Sequence, residues 1–363
     1  MMSERPRRVA VLVNDRFGPL TSKTAMALIR YGEDQVVAAV DRSKRPVDSS
    51  EYIGSVGKGI PVVDNIGDAI KMDLDAVVFG WAPEGGALAD HDRKDLLVTL
   101  KSGVDVVSGL HDLLGDDPDM KAAAERGGAT ITDLRSPPSH KRLLTGDVAY
   151  KRTPVVLVTG TDCSTGKMTV AIEMVLEARD RGIAAAFVAT GQSGMLVGCD
   201  AGAPIDAIVG DFMAGEVERM VLEVDERRPD LIVVEGQGAL SHPAYGAVSM
   251  AIHQGCYPDA LVMCHDPGRT HYKAFSDLRH KPHIPPLGGE IALAERVLLN
   301  TSMGEVVAVA MMAVGVTHME MTEHEEVVRA TLGLVVADVF SDGPGSLLDA
   351  VIVPLNIRGG GGG

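Results

Sequence analysis

The feature that most limits what this chain can become is a rhythm repeated along nearly its whole length: short β-branched runs alternate with amphipathic stretches. From Arg8 to about Arg135 the runs VAVLV, VVAAV, IPVVD, DAVVFGW, VDVVSG and ATITDL are interleaved with TSKTAMALIRY, NIGDAIKM and DRKDLLVTLKSG. After Pro154 the pattern resumes with VVLVTG, IAAAFVAT, LIVVEG, DALVMCHD, VVAVAMM and LVVADVF, separated by AIEMVLEARDRG, VERMVLEVDERRPD and VSMAIHQG. Runs that are apolar throughout belong to strands buried on both faces, and the helices between them supply the crossovers of a parallel sheet. The expected fold class is α/β. A chain of 363 residues exceeds what one such core usually needs, so two domains are expected. The segment SPPSHKRLLTGDVAYKRT, rich in Pro, Ser and basic residues, marks the connection. The spacing predicts a first domain over 1–140, a linker over 141–153 and a second domain over 154–358, with the glycines 359–363 set aside as a flexible tail.

The two halves differ at their first strand. The first is followed by Asn14-Asp15-Arg16-Phe17-Gly18, which is not the GxGxxG of a dinucleotide site. The second opens with VVLVTGTDCSTGKMTV, residues 155–170, and has the parts of a phosphate-binding loop. Glycines let the backbone curl so that its N–H groups point inward, the next helix presents its positive end, and a lysine reaches the terminal phosphates. Gly160, Gly166 and Lys167 supply these parts, and Thr161, Asp162, Cys163, Ser164 and Thr165 line the turn. Five residues, rather than four, separate the glycines. That longer form resembles the loop of dethiobiotin synthetase, which carries Thr directly after the Lys. Here Met168 takes that place and Thr169 is displaced by one, which turns its hydroxyl about 100° around the helix. Either Thr169 or Ser164 compensates, or magnesium is not held in the usual way.

Three further polar clusters follow apolar strands, at the rim where open α/β sheets bind ligands. Glu235-Gly236-Gln237-Gly238 resembles the VEGAGG stretch of dethiobiotin synthetase, and a carboxylate there can hold a metal, orient water or accept a proton. Thr190-Gly191-Gln192 ends another strand. The run from His265 to Tyr272 contains Arg269, suited to a carboxylate or phosphate, and His271. His242, in the loop after Glu235, is a second candidate base. Asp211, just before a helical run, is either a cap or a site residue.

Charge narrows the partners. A formal net charge of −16 argues against nucleic acid, whose backbone attracts basic surfaces. No apolar run approaches the roughly 20 residues of a membrane span, and the opening MMSERPRR lacks the design of a signal peptide, so a cytoplasmic protein with no membrane partner is expected. Cys163, Cys199, Cys256 and Cys264 form no CxxC pair; they are read as reduced thiols, and no metal site is expected. Symmetric homo-oligomers are common among such enzymes, and one is expected here.

Taken in series, GTDCSTGKMT, ATGQSG, GDFMAGEVE, VVEGQGALSHPAY, CHDPGR and LLNT at 298–301 resemble the DgcN type of D-glutamate N-acetyltransferase along essentially the whole chain. The resemblance implies a Rossmann-like N-terminal domain and a P-loop NTPase-like C-terminal domain. It implies transfer of an acetyl group from acetyl-CoA to the amino group of D-glutamate, a small amino acid substrate, in D-amino acid breakdown. On that reading residues 160–169, with Gln192, Gly236 and Gln237, would hold the co-substrate. Glu235 or His242 would act as base, Arg269 would pair with a substrate carboxylate, and His271 and Asp211 complete the candidate catalytic set. Backbone N–H groups of 236–238 would serve the oxyanion. Residues 55–70, SVGKGIPVVDNIGDAI, resemble a CoA-binding segment of succinyl-CoA ligases, so which domain would hold CoA stays open. The rival readings are an ATP- and magnesium-dependent ligase of the dethiobiotin synthetase kind and a protein that senses a nucleotide or CoA without turnover.

Overall fold

The computed structural model describes residues 5–19, 21–81, 88–312 and 318–358; the glycine tail 359–363 lies outside them. The chain divides into two compact units, 1–136 with 192–198, and 137–191 with 199–363.

In the first unit six strands form an all-parallel sheet: β1 (Arg8–Leu12), β2 (Gln35–Val40), β3 (Val62–Val63), β4 (Ala76–Phe79), β5 (Asp105–Ser108) and β6 (Ile131–Asp133). Their order is β3-β2-β1-β4-β5-β6, every neighbouring pair parallel. This is the doubly wound dinucleotide-binding order. Buried side chains stand on both faces of β1, with Ala10 and Leu12 in one core and Val9 and Val11 in the other, which is why the strand reads as a continuous apolar run. The absence of a glycine fingerprint has a visible counterpart. Asp41, fully buried after β2, accepts the backbone N–H groups of Asp15 at 3.0 Å and Phe17 at 2.9 Å. The acidic residue that a dinucleotide site would point at a ribose is used here to tie down the loop after β1.

The second unit holds seven parallel strands: β7 (Val155–Gly160), β8 (Ala185–Ala189), β9 (Ala201–Gly202), β10 (Leu231–Glu235), β11 (Ala260–His265), β12 (Glu305–Met311) and β13 (Val335–Ala337), in the order β13-β12-β11-β7-β10-β8-β9. β7 lies between β10 and β11. The loops that leave these three strands therefore meet at one end of the sheet, and they are the loops singled out from sequence. Val155, Leu157, Ile232, Val234, Leu261 and Met263 bury one face.

Residues 141–153, expected as a linker, are held on this unit by two carboxylates, Glu218 buried and Asp225 half-buried. Glu218 accepts from Thr145 N at 2.7 Å and Val148 N at 3.3 Å, and Asp225 accepts from Arg152 N and Thr153 N. The helix Gly210–Asp225 presses Gly215 so closely on Arg142 O that a Cβ there would overlap it.

A short helix, Gln192–Val197, interrupts the second unit's sequence and groups with the first. Leu196 packs there against the Val9 and Val11 core. The cluster read as a rim loop at Thr190-Gly191-Gln192 is thus divided between the units.

Candidate functional site

The loop after β7 takes its shape from two left-handed residues, Ser164 at φ 60° and Gly166 at φ 91°. Gly166 suits its place because any side chain is strained at that φ; a Cβ would also crowd the flexible end of Met312. The helix Lys167–Asp180 begins at once. Lys167 is 7% exposed, and its Nζ donates to Asp162 O at 2.6 Å and lies 3.5 Å from Thr165 Oγ1. Burial pulls its pKa below the ordinary lysine value, against the opposing pull of Cys163, Cys264, Asp162 and Glu235. Met168 follows in the helix and offers only a thioether, while the Thr165 hydroxyl is spent on Asp162 O at 3.1 Å. Thr169 sits in the same first turn, half-buried.

Asp162 is the hub of the loop. It is fully buried, its Oδ1 accepts Cys163 N at 2.7 Å, and its Oδ2 accepts from Arg269 at 2.8 Å and from Lys273 N at 2.9 Å. Arg269 also donates to Cys163 O at 2.6 Å and to Asp266 at 3.0 Å. Its guanidinium, expected to take a substrate carboxylate, is engaged by protein groups and instead closes the phosphate loop. Thr161 is fixed to β11 by its N–H on Cys264 O at 3.0 Å and by its hydroxyl beside His265 Nδ1, also at 3.0 Å.

Glu235 ends β10 beside this loop. It is 7% exposed and accepts Thr190 N at 3.2 Å. Burial raises its pKa to about 7, although the N–H groups of Thr190 and Gly191 and the charge of Lys167 pull the other way. Gln237 donates to Thr190 O, so both side chains clamp the end of β8. Gly236 N–H, expected to face an oxyanion, is bound to Val158 O at 2.9 Å; it belongs to the sheet ladder, and Gly236 lies too close to Val158 for any side chain.

His242 is buried among Tyr245, Tyr272 and Phe275, with ring centroids 4.6, 4.7 and 5.7 Å away. Its Nδ1 accepts two backbone N–H groups, Ala244 and Tyr245, each at 3.1 Å. A ring nitrogen that accepts twice carries no proton, so the neutral ring is protonated at Nε2. Nε2 has no hydrogen-bond partner and stands 3.7 Å from Asp162 Oδ1. Burial holds the pKa below the usual histidine value. His242, expected as a candidate base, is therefore a neutral donor with one unused N–H. Asp162, Cys163 and His242 bring three potential ligand atoms within 4.8 Å of one another, but an Nε2 that carries the proton has no lone pair for a cation. A long-range proton–nitrogen spectrum, with His242→Gln used for assignment, should show the Nε2-protonated tautomer unchanged from pH 8 to 6. An imidazolium at pH 7, or a proton on Nδ1, would reverse this assignment.

Three sequence candidates are not gathered here. Asp211 is exposed in the first turn of its helix, whose cap position is Val209. His271 pairs with His283 across an isolated bridge, rings 4.0 Å apart. Gln192 stands in the first unit, against Gly109. Sequence reading also missed a buried chain from Tyr272 through Ser241 to Glu290, with 2.6 Å between the two hydroxyls. The only signal was that Ser241 adjoins His242 and Tyr272 follows His271.

The comparisons agree with this geometry. Residues 142–348 match the model described as the DUF1611 domain of unknown function, C-terminal P-loop domain, and 42–137 match its N-terminal Rossmann-like partner. The chain belongs to the DUF1611 family. A crystal structure of a DUF1611 family protein from Anabaena variabilis superposes with a TM-score of 0.88 at 33% identity, covering 96% of this chain and 99% of that one. A D-glutamate N-acetyltransferase of Tritonibacter scottomollicae is 38% identical over 275 residues, 76% of this chain and 80% of its own length. One from a Pseudoalteromonas species is 32% identical over 287 residues, 78% and 83% of the two chains. The Rossmann-like and P-loop domains expected from sequence are those of the family. Among the described residues no helix is long and apolar enough to cross a membrane.

Proposed function

We propose that this member of the family moves an acetyl group from acetyl-CoA to the amino group of D-glutamate. The names carried by its two relatives support the reaction. One observation in the site carries the reading: a phosphate loop with a buried lysine but a thioether at the magnesium position lies beside a carboxyl that titrates near 7. Such a loop suits the phosphates of CoA, which are held and not cleaved.

In this reading the loop 160–167 and the Lys167 ammonium hold the phosphates. The amine nitrogen attacks the thioester carbonyl carbon, the carbon–sulfur bond breaks, and CoA leaves as the thiolate. Glu235 accepts the proton released from nitrogen and returns it to the sulfur. Arg269 acts through Asp162, whose position it fixes.

The test is thiol release from acetyl-CoA against a panel of D- and L-amino acids, with and without ATP and magnesium. Release is expected to require D-glutamate and to be indifferent to ATP, magnesium and EDTA. Phosphate release that depends on ATP, with no thiol formed in its absence, would establish the ligase reading instead.

A further inference from the structure

In a chain of net charge −16, the segment 269–283 runs the other way. It carries Arg269, Lys273, Arg279 and Lys281, with His271, His280 and His283, against the single acid Asp277. Four cations less one carboxylate leave +3 in 15 residues, counting the histidines as neutral. The segment is a closed loop, for its two ends are joined by Tyr272 N on Pro282 O at 3.3 Å and Ile284 N on Thr270 O at 3.0 Å. Its root is bound directly to the phosphate loop, through Lys273 N and the Arg269 guanidinium on Asp162. Its far side presents Arg279, His280 and Lys281, all exposed.

Exposed lysines and arginines are ordinary when acids are interspersed. Here Arg269 has its carboxylates, but among the described residues Lys273, Arg279 and Lys281 enter no ion pair. Like charges carried on one short loop repel one another, and an anion settling among them relieves that repulsion. The root of this loop and the phosphate loop meet at Asp162, so one extended anion can use both.

We propose that this basic loop is a second phosphate site, which takes the ribose 3′-phosphate of CoA while residues 160–167 take its pyrophosphate. The inference rests on acetyl-CoA being the acyl donor. With the pyrophosphate on residues 160–167, the third phosphate of that ligand still needs a partner. That phosphate is a compact dianion, and arginine and lysine are the side chains that bind it, the former through two parallel N–H groups. D-Glutamate, the other anion of the reaction, needs no such patch at the nucleotide end.

The experiment is calorimetric titration of the full chain with acetyl-CoA and with 3′-dephospho-acetyl-CoA, repeated on the double variant Arg279→Gln, Lys281→Gln. Both side chains are exposed, so the variant keeps the fold. The unmodified protein should bind acetyl-CoA about tenfold more tightly than the dephospho form, as fits two solvent-facing charge-assisted contacts. The variant should bind the two equally, at the affinity the parent shows for the dephospho form. Equal affinities in the parent, or a preference that survives in the variant, would overturn the second site and leave the acetyl-CoA reading standing. A variant whose only defect is a raised KM for D-glutamate would assign the loop to the acceptor and overturn it too. Failure of the parent to bind either compound would remove the acyl donor itself.

Discussion

Lys167→Ala should weaken acetyl-CoA binding by about 30- to 1000-fold, the equivalent of roughly 2–4 kcal/mol, and leave the melting temperature unchanged or slightly raised. The two halves of that expectation come from one environment. The ammonium is buried, held by Asp162 O at 2.6 Å and near Thr165 Oγ1, and its low pKa records that burial disfavours the charge. A phosphate arriving at the loop supplies the counter-charge that the folded protein provides only in part, so the lysine contributes more to the complex than to the free protein. Truncation does not leave Asp162 O without a donor, because Thr165 Oγ1 still reaches it at 3.1 Å. Removal of a desolvated charge then costs little stability, and can raise it. Lys167→Met, which keeps the apolar stem, separates packing from charge and should bind as poorly as the alanine variant. Normal affinity in either variant would refute the role given to this lysine.

Much of this organisation was legible in the sequence because parallel sheets buried on both faces need unbroken apolar strands. VVLVTG, LIVVEG and DALVMCHD read as strands on that ground alone, and the polar residues after each then fall at the rim. The same logic failed where a residue's use depends on a partner far along the chain. Nothing local distinguishes a free Arg269 from one neutralised by Asp162, 107 positions away. The availability of Gly236 N–H was likewise settled by strand pairing with Val158. His242 was found as a residue and misread as a role: a histidine followed by Pro-Ala-Tyr gives no warning that the backbone N–H groups two and three residues on will fold back upon Nδ1 and fix the tautomer. Gln192 shows a third kind of limit. Its place after a strand was correct, yet the chain leaves the second unit at that residue, and no periodicity over six residues can report which core Leu196 will join.

Glu235→Gln should lower kcat by about 10²- to 10⁴-fold, the usual contribution of a positioned base, with the dissociation constant of acetyl-CoA little changed. The amide keeps the size of the carboxyl and can still receive Thr190 N–H, so the loop geometry is preserved while the proton acceptor is lost. The pH dependence carries the more particular claim. Because burial raises the carboxyl to about 7, kcat/KM of the unmodified enzyme should climb about tenfold per unit below that pH and level off above it. Stability should move in the opposite sense. The folded state keeps the proton up to about 7, whereas the unfolded chain releases it near 4.3, so the folded protein binds more protons between these values. Its contribution is greatest at or below the unfolded pKa and is lost as pH rises through about 7. Melting temperatures at pH 5 and pH 8, taken as the difference between parent and variant, isolate this term from the other carboxylates. The parent should lose on the order of 3 kcal/mol more than the variant at the upper limit, since a shift of one unit is about 1.4 kcal/mol. A rate that is flat from pH 6 to 8, or a Glu235→Gln enzyme with near-normal kcat, would move the base away from Glu235; a stability difference independent of pH would show that its carboxyl is ionised throughout, and the near-neutral titration that suits it to accept a proton from the amine would be gone.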